Sequence, residues 1–94
     1  MIVIGLEELQ KFIKKHNQAK GPLEAWYDEA CRAKWKTPQD IKNRFSHADF
    51  RPNNRVIFNI KGNDYRLVVQ VVFVAGTVIV EQVGTHAEYD KWRL

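Results

Sequence analysis

Apolar positions along the chain follow two regimes, a helical period in the first half and a two-residue alternation beyond residue 55. Met1-Ile2-Val3-Ile4 is short, apolar and β-branched, which predicts a strand that Gly5 closes. Leu6, Leu9, Phe12 and Ile13 then recur at helical spacing. Glu7 and Glu8 stand in the first turn of that helix and Lys14, Lys15 and His16 in the last, an order that suits the helix dipole. Gly21-Pro22 is expected to break the chain and open a second helix, with Leu23, Trp26, Tyr27 and Ala30 on its apolar face. Thr37-Pro38-Gln39-Asp40 joins a capping threonine, a proline behind it and an acid three residues on, which starts a short third helix.

After Arg51-Pro52-Asn53-Asn54, a turn by composition, Val56, Phe58 and Ile60 alternate with Arg55, Ile57 and Asn59. Lys61-Gly62-Asn63-Asp64 has the composition of a hairpin turn. Residues 65–74 predict a long strand, apolar on both faces over 67–69 and 71–74, which belongs in the middle of a sheet. Ala75-Gly76-Thr77 turns the chain into a last strand over residues 78–83. Thr85 and Glu88 have capping-box spacing, so His86 falls in the first turn of a terminal helix. The order predicts an α+β fold: an N-terminal strand and helices packed on a three-stranded antiparallel meander, then a short C-terminal helix. The second face of the sheet is left open to a ligand.

Composition narrows the class. With 94 residues, 45% hydrophobic and 12% aromatic, residues 1–94 read as one domain, too apolar for a disordered chain. The longest apolar run, residues 71–75, is far short of the ~20 residues a membrane helix needs, and no secretory signal is visible. The single cysteine, Cys31, excludes an internal disulfide and a four-cysteine zinc site. A cytoplasmic protein without membrane contact is expected. The net charge of +4 is unevenly placed, because residues 32–55 hold seven bases against Asp40 and Asp49, a local +5. Such a segment suits a polyanion such as nucleic acid, or serves as a solubilising face. Nucleotide-binding loops, the nucleophile elbow and the zinc-protease motif are absent. Cys31, His16, His47 and His86 lack ligand spacing, so neither metal nor cofactor is expected.

Three stretches together resemble the HigB-type toxins of bacterial type II toxin–antitoxin systems, within the RelE superfamily of messenger-RNA endonucleases. They are Val56-Ile57-Phe58-Asn59-Ile60-Lys61-Gly62-Asn63-Asp64-Tyr65-Arg66-Leu67, the valine-rich strand after it, and Val83-Gly84-Thr85-His86-Ala87-Glu88-Tyr89-Asp90-Lys91. The resemblance is sharp over residues 56–91 and matches in pattern alone before them. It implies a RelE-like fold and a ribonuclease that cuts messenger RNA, usually on the translating ribosome. It also implies inhibition by a co-expressed helix-turn-helix antitoxin of HigA type.

Metal-independent RNA cleavage uses the ribose 2′-OH as nucleophile, and needs a base, a proton donor and cations around the phosphate. Arg66 suits the phosphate, its planar fork matching the oxygens, unless a sheet carboxylate such as Glu81 holds it. His86, within the third stretch, suits acid–base work at neutral pH, or only helps to cap the last helix. Tyr89 shares its helical face and either acts on the substrate or packs its ring on the sheet. Asn59 and Asn63 are candidates for base or phosphate contacts, with turn formation as the alternative for Asn63. Arg55, Lys61 and Lys91, and Lys34, Lys36, Lys42 and Arg44 in the basic segment, are candidate phosphate contacts or plain solvated charges. His47 is a weaker acid–base candidate, and Trp35 is the tryptophan most suited to stack on a base. A basic RNA- or ribosome-binding module without chemistry would present the same face. A pure protein-docking domain would use the basic segment for an acidic partner.

Overall fold

The computed structural model of the chain describes residues 1–92. Strand β1 (Ile2–Ile4) leads into helix α1 (Leu6–Lys15), then a 3-10 turn (Asn17–Ala19) and helix α2 (Lys20–Arg32). Helix α3 (Pro38–Arg44) precedes strands β2 (Asp49–Arg51), β3 (Arg55–Ile60), β4 (Tyr65–Val72) and β5 (Thr77–Thr85). Helix α4 (His86–Tyr89) follows β5 directly.

The five strands form one sheet in the order β1-β5-β4-β3-β2. The expected meander is its centre, but two short edge strands extend it. Residues 49–51 add β2 antiparallel to β3, a strand too short to show an alternation. The chain start adds β1 parallel to β5, so the sheet is mixed rather than wholly antiparallel. The break before α2 also falls earlier than Gly21-Pro22. His16 leaves the helical region at φ −134°, and Gly21 and Pro22 lie inside the first turn of α2, where Pro22 forfeits no hydrogen bond. The long strand ends at Val72, because residues 73–75 form a 3-10 turn.

Alternation sorts the sheet residues onto two faces. Val56, Phe58 and Ile60 of β3 and Tyr65, Leu67, Val69 and Val71 of β4 meet α1 and α2 in the core. Phe58 lies at the centre of an aromatic cluster, with Trp26, Trp35 and Phe45 at 5.5, 6.3 and 5.0 Å. Trp35 is therefore a core residue and does not stack on a base, despite its lysine neighbours. The opposite face carries Arg55, Asn59, Arg66 and Gln70, and buries Ile57 and Val68.

Two details fix how the layers meet. Val69 pairs with Val80 and Val68 with Gln82, so Glu81 is the extra residue of a bulge in β5. Gly5 joins β1 to α1 at φ +97°, and a Cβ there would lie 2.8 Å from the Val80 carbonyl oxygen. Gly5→Ala should therefore cost about 1–2 kcal/mol from the backbone conformation alone, with the Val80 clash in addition. The expected result is a lower urea midpoint with an unchanged m-value.

Candidate active site on the open sheet face

The antiparallel pairing of β4 and β5 sets Tyr65 opposite Thr85 and Arg66 opposite Gly84. The first turn of α4 thus starts beside the first residues of β4, as the sequence predicts. The His86 N–H donates to the Asp64 carbonyl at 3.1 Å and ties α4 to the β3–β4 turn. A capping box closes the junction: Thr85 Oγ1 accepts from the Glu88 N–H at 3.2 Å, and the Glu88 carboxylate accepts from the Thr85 N–H at 2.8 Å. Gly84 leaves room for Trp92, whose ring would lie 2.6 Å from a Cβ at that position. Helix α4 is held against the second face of the sheet, opposite the core.

Tyr89 is the hub of that face. The Arg66 guanidinium lies 5.5 Å from its ring centroid, and Arg51 Nη2 donates to its hydroxyl at 3.4 Å. The Tyr89 oxygen, with Asp49 at 3.0 Å, pushes the already high pKa of Arg51 further up. Arg66 Nη1 donates to the carbonyls of Asn63 and Tyr65 at 3.1 and 3.3 Å. Among the described residues it makes no ion pair, because Glu81, its expected partner, binds Arg55 at 2.9 Å. The structural alternative for Arg66 thus passes to its neighbour. Arg55 is engaged within the sheet, whereas Arg66 keeps a charge facing the open surface.

His86 is exposed, its ring 6.5 Å from that of Tyr89. Its Nδ1 lies 3.3 Å from an Asp90 carboxylate oxygen. Tyr89 thus stands beside both Arg66 and His86. Asn59 pairs across from Arg66 and is exposed, which puts its amide on the same face. Asn63 and His47 line a groove of about 520 Å³ at this end of the sheet, with Asn59 and Arg44. Lys91 is exposed just beyond α4.

The remaining charges disperse. Lys61 reaches Gln18 at 2.9 Å and Asp64 at 3.5 Å. Lys42 donates to the Ala48 carbonyl at 3.0 Å and covers the Phe50 ring. Arg44 pairs with Glu29, its Nη2 at 2.7 Å from the carboxylate. Lys34 and Lys36 border a hollow with Phe73 and Gly76, at the other end of β4. The basic segment is continuous in sequence but not in space. Arg51 is the site residue that sequence reasoning missed; its signal was a base one residue before a proline turn, and β2 had to be recognised to place it. No three His, Cys, Asp or Glu side chains cluster to hold a metal among the described residues.

Comparison with known proteins agrees with the sequence resemblance. Residues 19–92 match the family described as HigB_toxin, RelE-like toxic component of a toxin-antitoxin system. The chain is 30% identical to the mRNA interferase toxin HigB of Escherichia coli over 92 residues, covering 96% of this chain and 88% of that protein. The mRNA interferase HigB of Shigella flexneri gives the same identity and coverage. Another Escherichia coli mRNA interferase HigB is 25% identical over 93 residues, 97% of this chain and 90% of its own length.

The hold on α4 depends on pH. The Thr85 N–H holds the Glu88 carboxyl below the usual carboxylate range. A lowered folded pKa gives stability that is fully present above the unfolded value of about 4.3 and is lost as pH falls through the folded one. In an NMR titration the Thr85 amide should therefore shift with a midpoint below about 4.3, and Glu88→Gln should abolish that transition.

Proposed function

The chain belongs to the HigB toxin family, and on that premise we propose that it cuts messenger RNA at the cluster around Tyr89. It is the toxin of a toxin–antitoxin pair and an endoribonuclease of the mRNA interferase type. The observation that carries the site is the pair of arginines on one tyrosine: Arg66 over the ring and Arg51 on the hydroxyl. Two guanidinium groups converge where a phosphodiester can be held, and neither lies in the core.

The proposed reaction is attack of the ribose 2′-OH on the adjacent phosphorus. A proton leaves the 2′-oxygen, the bond to the 5′-oxygen breaks, and that oxygen departs with a proton. The products are a 2′,3′-cyclic phosphate and a 5′-hydroxyl end. Arg66 and Arg51 stabilise the extra charge on the phosphoryl oxygens, through fork geometry that matches them. His86 exchanges the proton, and the Asp90 carboxylate beside Nδ1 orients its ring. Tyr89 positions both arginines and contacts the phosphate. Asn59 and Asn63 bind the flanking nucleotides, with Lys91 at an outer phosphate. The mechanism uses no metal, since the substrate supplies the nucleophile.

In the cell the substrate is messenger RNA on the translating ribosome, in the cytoplasm. The exposed lysines Lys34 and Lys36 lie at the far end of the sheet and would meet ribosomal RNA. A helix-turn-helix antitoxin of HigA type holds the toxin inactive.

Expression alone should arrest bacterial growth and shorten messenger RNAs, and co-expression of the neighbouring antitoxin should restore both. Arg66→Ala and Arg51→Ala should each lower single-turnover cleavage by ~10²–10³-fold. His86→Ala should lower it by ~10²–10⁴-fold, with folding and antitoxin binding retained. EDTA should leave wild-type cleavage intact. Full activity of His86→Ala would move proton transfer to Tyr89 or His47. Tight RNA or ribosome binding without any cleavage would replace the enzyme with a binding module. Comparing transcripts with and without ribosomes measures the ribosome requirement directly.

A further inference from the structure

One residue of the central strand breaks its pattern. Residues 67–74 are apolar except for Gln70, which is half-buried on the open face of the sheet between Val68 and Val72. Its Nε2 donates to the Asn53 carbonyl at 3.1 Å and so ties β4 to the turn between β2 and β3. Gln70 stands opposite Arg55, and Arg55 opposite Arg51, so the three side chains form one row across the face.

That turn supports itself poorly. Asn53 and Asn54 both adopt the left-handed backbone, at φ +65° and +59°, which asparagine tolerates without preferring it. Arg51 and Arg55 close the hairpin as like charges directly opposed, an arrangement that pushes β2 away from β3. Strand β2 has three residues and lies at the edge of the sheet. Among the described residues, Gln70 supplies the only side-chain hydrogen bond that residues 52–54 receive. Glu81 meanwhile draws the Arg55 charge the other way, towards β5. Arg51 is left to Asp49 and the Tyr89 hydroxyl.

We propose that Gln70 is a positioning residue: by holding the Asn53 carbonyl it keeps the end of β2 in place, and with it the Arg51 guanidinium on Tyr89. Its effect on cleavage rests on the reading of Arg51 as a phosphate contact, whereas its effect on Arg51 itself does not. The Arg51–Tyr89 hydrogen bond is already long at 3.4 Å, so a shift of about 1 Å at the end of β2 breaks it. A glutamine in an apolar central strand therefore acts on the site from behind, through a turn. Gln70 itself needs no contact with RNA for this role.

The test is a double-mutant cycle on Gln70→Met, which keeps the side-chain length and removes the donor, and Arg51→Ala. Single-turnover cleavage of one defined RNA is the first readout. Gln70→Met should lower it by about three- to tenfold, as expected for one hydrogen bond, and cost nothing further in the Arg51→Ala background. Equal losses in both backgrounds would overturn the positioning role. Full activity of Gln70→Met, where Arg51→Ala is impaired, would overturn it too. A second measurement does not depend on cleavage: nuclear Overhauser contacts from the Arg51 and Arg66 side chains to the Tyr89 ring. Gln70→Met should weaken the Arg51 contacts and leave those of Arg66, which reports that the fold and α4 are intact. Unchanged Arg51 contacts overturn the proposal even where cleavage falls. Weakened Arg51 contacts in a chain that cuts no RNA uphold it and overturn only the endonuclease reading.

Discussion

The register of β5 on β4 is the constraint from which the site follows. Side chains alternate across a strand, so a slip of one residue would turn Leu67, Val69 and Val71 to the surface and Arg66 into the core. The core excludes that alternative, because those three residues are buried against α1 and α2 while Arg66 faces the other way. The same register brings Thr85 level with Tyr65 and so delivers α4 to the start of β4. Hydrophobic burial on one face thereby fixes where Arg66 and Tyr89 stand on the other.

The bulge at Glu81 refines this arrangement. Without it, Val80 and Val83 would point to opposite faces; with it, both pack against the core. The extra residue carries a carboxylate that reaches Arg55, across β4. At half-exposed positions such a pair contributes little stability, of order 0–1 kcal/mol. Its consequence is selective: it occupies the one acid that Arg66 was expected to meet.

Local signals were readable from the sequence, and non-local ones were not. Thr37-Asp40 and Thr85-Glu88 form the capping boxes that their three-residue spacing announces, because a cap involves only one turn of chain. The long central strand and its hairpin partner were visible in the two-residue alternation of apolar residues. The first strand was visible too, but its parallel pairing with β5 was not, since the partner lies some 75 residues away and nothing local states the pairing. Charge partners were hidden for the same reason. Arg44 and Lys42 look like free bases in a basic run, yet Glu29 and the Ala48 carbonyl claim them once the chain has folded. Trp35 lies between two lysines in sequence and inside an aromatic cluster in space. In the candidate site, Arg66, Asn59 and Tyr89 were named from motif and alternation, whereas Arg51 needed the loop geometry of residues 44–54 to be placed beside them.

Three arginines crowd the second face, and what distinguishes them is how each charge is compensated. Arg55 has Glu81 and Arg51 has Asp49, both through direct ion pairs. Arg66 has only two backbone carbonyls and the face of the Tyr89 ring, partners that orient a guanidinium without neutralising it. A half-buried cation beside other cations raises the local potential, and folding alone gives nothing to offset that repulsion. In the proposed reaction a phosphodiester entering between Arg66 and Arg51 supplies the missing negative charge, and a phosphorane-like transition state supplies more of it. On that proposal the arrangement favours the transition state over the ground state, the condition for catalysis rather than mere binding.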